Sequence, residues 1–453
     1  MRKKIHFIGI GGIGMSGLAQ LFLEKDFEVS GCDIKDSERL SFLKNKGAKI
    51  YLGHDPSHLK EQEIVVYSSA IKEDNSELQE AKKRNIRIMR RAEALAEIIK
   101  EEKLITVSGA HGKTTTSSLV AHILKEVGFS PSVVVGGIWL NLNNSACLGK
   151  DKLFVIEADE SDGSFLYFKP DYSIITNIDF EHMDYYKDME KLLATFLDFI
   201  NNIHQDGCLI ACAENKNICS ILNKVNRKKI LYGLDSKLDI YAKNIELIDL
   251  SSSFDCIFKG DYLGRFFLPL GGIHNVLNSL AVIALAKELG IENEDIKKAL
   301  STFKGTRRRI ETKAFINGIL FLDDYAHHPT EIRATLEAIR NLRHKRIVVV
   351  FQPHRFTRTK LLLDEFAKSF DLADEVVITD IYPADEKPIE AVTAKDICER
   401  INLYDKNKSV KFLPFKEIVS YLLDILKKDD LLITLGAGDI YKIHDELIPR
   451  IKG

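Results

Sequence analysis

The sequence predicts an α/β protein made of three domains in tandem. Strand-like apolar runs alternate with helix-like amphipathic runs along the whole chain, the pattern of sheets covered by helices. Two of those strands end in glycine loops that open directly into helices, at residues 9–14 and 109–112. The length of 453 residues is also too great for one core and suits three units of roughly 150 residues each. The expected domains are 1–102, 103–304 and 305–453.

In the first domain, residues 4–10 are expected as a strand, Gly9-Ile10-Gly11-Gly12-Ile13-Gly14 as a loop, residues 15–24 as a helix, and residues 29–32 as a second strand closed by Asp33. This βαβ beginning, extended by apolar runs at 64–67 and 86–89, defines a Rossmann-like domain with a parallel sheet. A helix at 92–100 leads into the charged connector Lys100-Glu101-Glu102-Lys103, where the first boundary falls.

The second domain opens on Ile105-Thr106-Val107-Ser108-Gly109-Ala110-His111-Gly112-Lys113-Thr114-Thr115-Thr116. An apolar strand breaks at glycines and a helix follows over 115–127, with Leu119, Val120, Ile123, Leu124 and Val127 apolar. Strands are expected at 132–135, 154–158 and 172–176, then a helix over 189–203 that turns Leu192, Leu193, Phe196, Phe199 and Ile200 inward. Shorter pieces at 240–247, 255–258 and 265–268 read as an antiparallel edge before a long helix at 275–289. The third domain begins after Lys304-Gly305-Thr306 and repeats strand then helix: 319–322 with 330–339, 347–351 with 360–370, then 376–379, and finally 431–435 before Gly436-Ala437-Gly438. It reads as a second Rossmann-like α/β domain.

Composition narrows the function classes. A net charge of -2, with 29% charged and 45% hydrophobic residues, leaves neither a basic field for nucleic acid nor an acidic tail, so small-molecule partners are expected. The seven cysteines, Cys32, Cys147, Cys208, Cys212, Cys219, Cys256 and Cys398, are scattered without paired metal-ligand spacings and read as reduced thiols. Met1-Arg2-Lys3-Lys4 before an apolar run resembles a secretory leader, but the glycines between Gly9 and Gly14 argue against one. No window reaches the ~20 apolar residues of a membrane span, and a soluble, cytoplasmic protein is expected.

The glycine loop at 109–112 suits a nucleoside triphosphate. Its glycines let backbone N–H groups curl around phosphate oxygens, the helix adds its unpaired N-terminal donors, Lys113 reaches the terminal phosphates and Thr114 can ligate Mg2+. Gly109 and Gly112 enclose two residues where the usual loop has four, and Val107 holds the place of the earlier glycine, which weakens a generic NTPase label. The loop Gly9-x-Gly11-x-x-Gly14, with Asp33 nineteen residues past Gly14, meets the dinucleotide fingerprint. Physically that loop requires only a diphosphate near a helix N-terminus, so a UDP-sugar satisfies it as well as NAD does.

Three further runs are Glu157-Ala158-Asp159-Glu160-Ser161-Asp162, Asn177-Ile178-Asp179-Phe180-Glu181-His182-Met183-Asp184 and Gly272-Ile273-His274-Asn275-Val276-Leu277-Asn278. With both loops, they make the chain resemble the Mur ligases of peptidoglycan synthesis, essentially end to end. The wording of Gly9–Gly17, of Asp323-Asp324-Tyr325-Ala326-His327-His328-Pro329-Thr330-Glu331 and of Gln352-Pro353-His354-Arg355-Phe356-Thr357-Arg358 resembles the branch that adds L-alanine to UDP-N-acetylmuramate. The family's short phosphate loop accounts for the departure at Val107. The resemblance implies that ATP phosphorylates the lactyl carboxylate and that the amine of L-alanine attacks the acyl phosphate, with ADP and phosphate leaving.

The resemblance also distributes roles. Gly109, Ala110, His111, Gly112, Lys113, Thr114 and Thr115 would hold ATP, together with His274, Asn275, Asn278, Arg308 and Asp324. Gly11, Gly12, Ile13, Gly14, Met15, Ser16, Asp33, Ser68 and Ser69 would hold the UDP-sugar. Thr114 and Glu157 match ligands of a first Mg2+ and His182 a ligand of a second, where a histidine among hard-ion ligands also admits Mn2+. His327, His354, Arg355 and Arg358 would hold the alanine carboxylate and product, arginine pairing bidentately with carboxylates. The reactive set is Lys113, His182, Arg308 and His327, with no evident general base. Ordinary explanations exist for several: a capped turn for Asp159, Glu160 and Asp162, a helix cap at His274-Asn275 and at Asp324, and a solvated charge run at Thr306–Arg309.

Splitting substrates over three domains predicts that the C-terminal domain closes on the central one. A monomer or weak homodimer is expected, with no nucleic-acid or membrane partner. Three alternatives stay open on sequence alone: a ligase recycling a tripeptide onto UDP-N-acetylmuramate, a nicotinamide dehydrogenase fused to an ATP-binding module, and a non-catalytic nucleotide sensor.

Overall fold

A computed structural model describes residues 2–68, 70–181, 183–384 and 386–452. Its strands form three sheets. The first comprises β1 (Lys4–Ile8), β2 (Glu28–Asp33), β3 (Lys49–Leu52), β4 (Ile64–Tyr67) and β5 (Arg87–Arg90), paired in parallel in the order β3-β2-β1-β4-β5. That is the Rossmann order, with its switch point beside β1, where the first glycine loop leaves the sheet.

The second sheet comprises β6 (Lys103–Ser108), β7 (Ser132–Trp139), β8 (Asn144–Cys147), β9 (Leu153–Glu157), β10 (Tyr172–Ile175), β11 (Cys208–Cys212), β12 (Lys228–Gly233), β13 (Ile240–Ile248), β14 (Ser251–Phe258) and β15 (Asp261–Leu268). Its order is β15-β14-β13-β12-β11-β10-β6-β9-β7-β8. β6 pairs in parallel with β10 on one side and β9 on the other, so the second glycine loop also leaves at a switch point. The third sheet, β16 (Glu311–Ile316), β17 (Ile319–Asp324), β18 (Arg346–Phe351), β19 (Glu375–Ile378), β20 (Ser409–Phe412) and β21 (Asp430–Leu435), runs β16-β17-β21-β18-β19-β20. β16 is antiparallel to β17 and the rest are parallel.

By contact density the chain divides into two compact units. One is Met1–Lys243 with Asp255–Gly264 and Leu277–Lys304, carrying the first sheet and most of the second; the other is Asn244–Phe254 with Arg265–Val276 and Gly305–Gly453, carrying the third.

The strands follow from the sequence where burial is two-sided: β18 (RIVVVF) and β21 (DLLITL) are almost wholly buried, which a continuous apolar run permits. The helix Met189–Asn201 starts where the Asp188 carboxylate accepts from the Lys191 N–H at 2.8 Å, and it buries Leu192, Phe196, Phe199 and Ile200. Leu193, expected inward, is only half-buried, and Thr195 is buried instead.

Several expectations need correcting. β1 ends at Ile8 because Gly9 turns the chain at φ 80°. The helix expected over 360–370 is two pieces, Phe356–Leu361 and Leu363–Ala367, broken at Leu362, whose φ of -113° leaves helical geometry. β3, β8, β11, β12, β16 and β20 were not anticipated.

His444, on the helix Ile443–Lys452, is buried against the third sheet, its Nε2–H donating to the Leu322 carbonyl at 3.1 Å beside Thr434 Oγ1 at 3.0 Å. Burial, reinforced by nearby Lys313, pushes its pKa down to about 4. The folded state therefore resists a proton that the unfolded chain takes up near pH 6.5, and stability falls as pH drops from 6.5 toward 4. The expected loss from this residue is about 3 kcal/mol by pH 4, and His444→Gln should flatten that slope in urea unfolding curves collected across the range.

Candidate active site

The first glycine loop is shaped by Asp33. Its Oδ2 accepts from the Gly11 N–H at 2.8 Å and its Oδ1 from Ile34 N–H at 2.8 Å, while the N–H groups of Gly9 and Ile10 donate to the Cys32 carbonyl at 2.9 and 3.0 Å. Crowding favours glycine at Gly11, where a Cβ would lie 2.9 Å from Asp33 Oδ2, while at Gly14 the near atoms belong to the flexible Arg91 side chain. The helix Ile13–Glu24, which contains Met15 and Ser16, has Gly12 as its cap, with no side-chain acceptor and no acid in its first turn. Its N-terminal donors thus remain available to an anion. Ser68 lies beside the loop, its N–H bonded to the Ile8 carbonyl at 3.2 Å. Asp33 thus orders the loop at the end of β2. Ser69 lies outside the described residues.

The second loop is clamped to the segment after β10. The N–H of Ala110 donates to the Asn177 carbonyl at 3.2 Å and that of His111 to Asn177 Oδ1 at 2.8 Å, while Thr176 Oγ1 donates to the His111 carbonyl at 2.6 Å. His111 Nε2 lies 3.1 Å from Asp179 Oδ2. Gly109 and Gly112 take φ of 131° and 80°, and a Cβ on Gly112 would stand 2.9 Å from the buried Asn278 side chain. The helix Lys113–Glu126 begins at Gly112 without a side-chain cap, with Thr114 and Thr115 buried in its first turn.

Lys113 folds back over this loop. Its Nζ donates to the Gly109 carbonyl at 2.6 Å and to both Glu160 oxygens at 2.8 and 3.0 Å. Burial alone would lower its pKa, but Glu160, Asp159 and Glu157 more than reverse that and hold it above the ordinary lysine value. Glu160, itself buried, is pushed up to about 7 by desolvation, against the pull of Lys113. Glu157 ends β9 one strand away from the loop; Thr114 Oγ1 donates to its Oε1 at 3.1 Å and the Gly136 N–H to its Oε2 at 2.7 Å. A hydroxyl and a carboxylate meeting at a phosphate loop supply the hard oxygen donors that Mg2+ takes, so these residues fit that ion. Asp159 and Asp162 instead cap their own turn, accepting from Ser161 and Ser164 N–H at 3.0 Å each. His182 lies outside the described residues.

Within the second unit, His274 is pushed down to about 4 by burial and by Arg309, which keeps the imidazole neutral near pH 7. Asn275 Nδ2 donates to the Gly271 carbonyl at 2.8 Å, closing the start of the helix Ile273–Glu288. Asp324 is buried, its Oδ2 accepting from Ile310 N–H and its Oδ1 from Ala326 N–H, both at 2.7 Å, and burial raises its pKa to about 6. It ties two loops of this unit together.

Arg308 is engaged within the second unit. Its Nε donates to Asp323 at 3.0 Å, Nη1 to the Gly438 carbonyl at 3.0 Å and Nη2 to the Gly436 carbonyl at 2.5 Å, and the guanidinium stacks near Tyr441. The group chosen to approach the ATP phosphates is engaged inside its own domain, joining the turn before β16 to the end of β21. Arg308→Ala should cost about 3 to 5 kcal/mol, because Asp323 is left charged and buried without its partner. Chemical denaturation checks this; an unchanged midpoint with a raised KM for ATP would return the phosphate role to Arg308.

His327, His354 and Arg358 do come together. The His327 and His354 rings meet edge to face at 5.6 Å, His354 stacks on Tyr382 at 5.6 Å, and Arg358 Nη1 donates to the His354 carbonyl at 3.1 Å. Arg355, at φ 72°, starts the helix Phe356–Leu361. The cluster is a cationic and aromatic surface suited to a small carboxylate. Glu160, Gly136, Asn177, Asp179 and Tyr382 were missed by the sequence reading. Of these, Glu160, Asn177 and Asp179 stand inside runs already singled out, but their partners lie on other strands.

This fold and these loops define an α/β protein with two candidate phosphate-binding loops. Three family models match it: the Mur ligase family catalytic domain over residues 4–103, the Mur ligase middle domain over 107–286, and the Mur ligase glutamate ligase domain over 308–438. The chain belongs to the Mur ligase family. It is 43% identical over 450 residues to the UDP-N-acetylmuramate--L-alanine ligase of Geotalea daltonii, spanning 99% of this chain and 98% of the relative. Among solved structures, it matches the UDP-N-acetylmuramate-alanine ligase MurC of Thermotoga maritima with TM-score 0.82 at 30% identity, covering 99% of this chain and 98% of that one. It also matches a murein peptide ligase of Psychrobacter arcticus with TM-score 0.72 at 25% identity, covering 100% and 99% respectively. Among the described residues, no helix is long and apolar enough to cross a membrane.

Proposed function

We propose that the chain joins L-alanine to the lactyl carboxylate of UDP-N-acetylmuramate, through an acyl phosphate and with release of ADP and phosphate, in peptidoglycan precursor synthesis. The observation that carries this reading is the convergence of Lys113 with the Thr114–Glu157 pair at one phosphate loop, in a chain matched from end to end by L-alanine ligases. The family match gives no support to the dehydrogenase and sensor alternatives. The recycling ligase is the weaker match of the two structures compared.

A carboxylate resists an amine because it is anionic and resonance-stabilised. Its attack on the γ-phosphorus gives a carbonyl with a good leaving group. Two unit charges at ~4 Å repel by about 4 kcal/mol at an effective dielectric near 20, and cations must offset this before the anions touch. Lys113 supplies one such charge, exchanging Glu160 for phosphate oxygens as ATP enters. Thr114 and Glu157 would hold Mg2+, which supplies further positive charge to the phosphates when bound. A second ion, Mg2+ or Mn2+, is assigned to His182.

The first domain, 1–102, would take the UDP diphosphate at Gly11–Ser16 and the helix N-terminus behind them. Domain 103–304 would take ATP, with Asn278 near the adenine end. Domain 305–453 would take the amino acid through His327, His354, Arg355 and Arg358. Monomeric or weakly dimeric and cytoplasmic, the enzyme would serve cell-wall growth, and with it cell shape and division.

The test is phosphate release from ATP and Mg2+ with UDP-N-acetylmuramate, titrated with L-alanine, glycine, L-serine or the cell-wall tripeptide. Release that requires L-alanine supports the reading. Release with the tripeptide and not with L-alanine assigns the recycling reaction instead.

A further inference from the structure

A second cluster of ligating side chains lies in the first domain, behind its glycine loop. His6 on β1, Cys32 on β2 and Glu77 on the helix Ser76–Lys83 are all fully buried. Their ligating atoms lie within 4.8 Å of one another. His54, after β3, brings Nδ1 to 3.2 Å from Cys32 Sγ and 3.0 Å from Glu77 Oε2, while Sγ and Oε2 are 2.7 Å apart. The other carboxylate oxygen lies 2.7 Å from His58 Nδ1, which is part-buried at the edge of the cluster.

The surroundings of His6 hold its ring edge-on to the Glu77 carboxylate. Ser30 Oγ lies 3.3 Å from the Ile5 carbonyl and 2.9 Å from His6 Nδ1; donating to the carbonyl, it accepts from Nδ1–H. In the neutral ring this leaves the lone pair on Nε2, which faces Glu77 Oε1 at 3.3 Å, so a proton or a metal ion must bridge the two. A buried lone pair facing a buried carboxylate is repulsive unless something positive sits between them. An imidazole oriented through its other nitrogen by a fixed acceptor is also how metal-ligating histidines are held.

We propose that His6, Cys32, His54 and Glu77 bind a transition-metal dication of the zinc type. Imidazole, thiolate and carboxylate together are the donors of a borderline ion, unlike the oxygen set at Thr114 and Glu157. Tetrahedral zinc needs ligand atoms about 3.3 to 3.6 Å apart, so the short contacts open and the longer separations close by about 1 Å on loading. The metal–sulfur bond forms as the Cys32 S–H proton leaves to solvent. The Cys32 carbonyl anchors the Gly9 and Ile10 N–H groups, which places this ion directly under the loop assigned to the diphosphate.

The experiment uses the full chain, stripped with chelator and titrated with Co2+ in excess Mg2+. The expected result is a thiolate-to-cobalt charge-transfer band that saturates at one Co2+ per chain and is bleached by Zn2+. Cys32→Ser, whose hydroxyl keeps a donor to Glu77, should lose the band, whereas Cys219→Ser, altering an exposed thiol, should keep it. Ser30→Ala, which removes the acceptor orienting His6, should weaken Zn2+ binding by about 10- to 100-fold. No charge-transfer band in the unaltered chain, or a band that survives Cys32→Ser, would overturn the proposal and leave a hydrogen-bonded network.

Discussion

Lys113→Ala is expected to lower kcat by about 10²- to 10³-fold or more, the scale for removing a preorganised positive group from a developing anionic centre, while UDP-N-acetylmuramate binds as before. The structure adds a consequence that the sequence does not show. Glu160 is buried and already raised to about 7 beside the ammonium; without it the carboxyl rises further and takes a proton. The neutral carboxyl is then left buried without the lysine, at a cost of about 1 to 3 kcal/mol, so the single variant should also be less stable. Lys113→Ala combined with Glu160→Gln should recover stability without recovering turnover. Stopped phosphate release, thermal melts and calorimetry with the UDP-sugar separate these effects; equal loss of UDP-sugar binding in both variants would contradict the division of labour between the two loops.

The same pair carries a pH dependence. Because the Glu160 carboxyl is raised from 4.5 to about 7 in the fold, the folded enzyme keeps a proton there that the unfolded chain has already lost. Its contribution to stability therefore falls as pH rises across that window.

Glu157→Gln is the second large effect. The Thr114 hydroxyl, from the first turn of the helix Lys113–Glu126, and the Gly136 N–H, from β7, converge on this carboxylate, and the charge they orient is the one a divalent ion requires. Turnover at limiting Mg2+ should drop by about 10²-fold or more, with partial recovery at high Mg2+. Gly136→Ala is a subtler form of the same change: its Cβ would stand 2.5 Å from Glu157 Oε1 and displace the carboxylate, costing about 10- to 100-fold in Mg2+ affinity. Initial rates across a Mg2+ series at fixed ATP check both. A changed KM for L-alanine with an unchanged Mg2+ dependence would remove Glu157 from the metal site.

The two glycine loops were legible in the sequence because local backbone geometry is local information. Gly9, Gly109 and Gly112 take positive φ, and the residues that need those turns are their immediate neighbours. Charge partnerships were less legible. Glu160 meets Lys113 only because β6 and β9 run side by side, pairing Val107 with Glu157, a register that no spacing in the sequence encodes. Arg308 looked like an exposed cation in a basic run; two of its acceptors are carbonyls at Gly436 and Gly438, more than a hundred residues away. β3, with the half-buried sequence KIYL, lacks both a continuous apolar run and clean alternation, and was missed for that reason.

In the proposed reaction the lactyl carboxylate itself attacks the γ-phosphate. With UDP-N-acetylmuramate labelled with 18O in both carboxylate oxygens, ATP, Mg2+ and L-alanine, mass spectrometry should find one labelled oxygen in the released phosphate and the other in the new amide. Phosphate carrying no label would mean that ATP was cleaved by water and that no acyl phosphate formed.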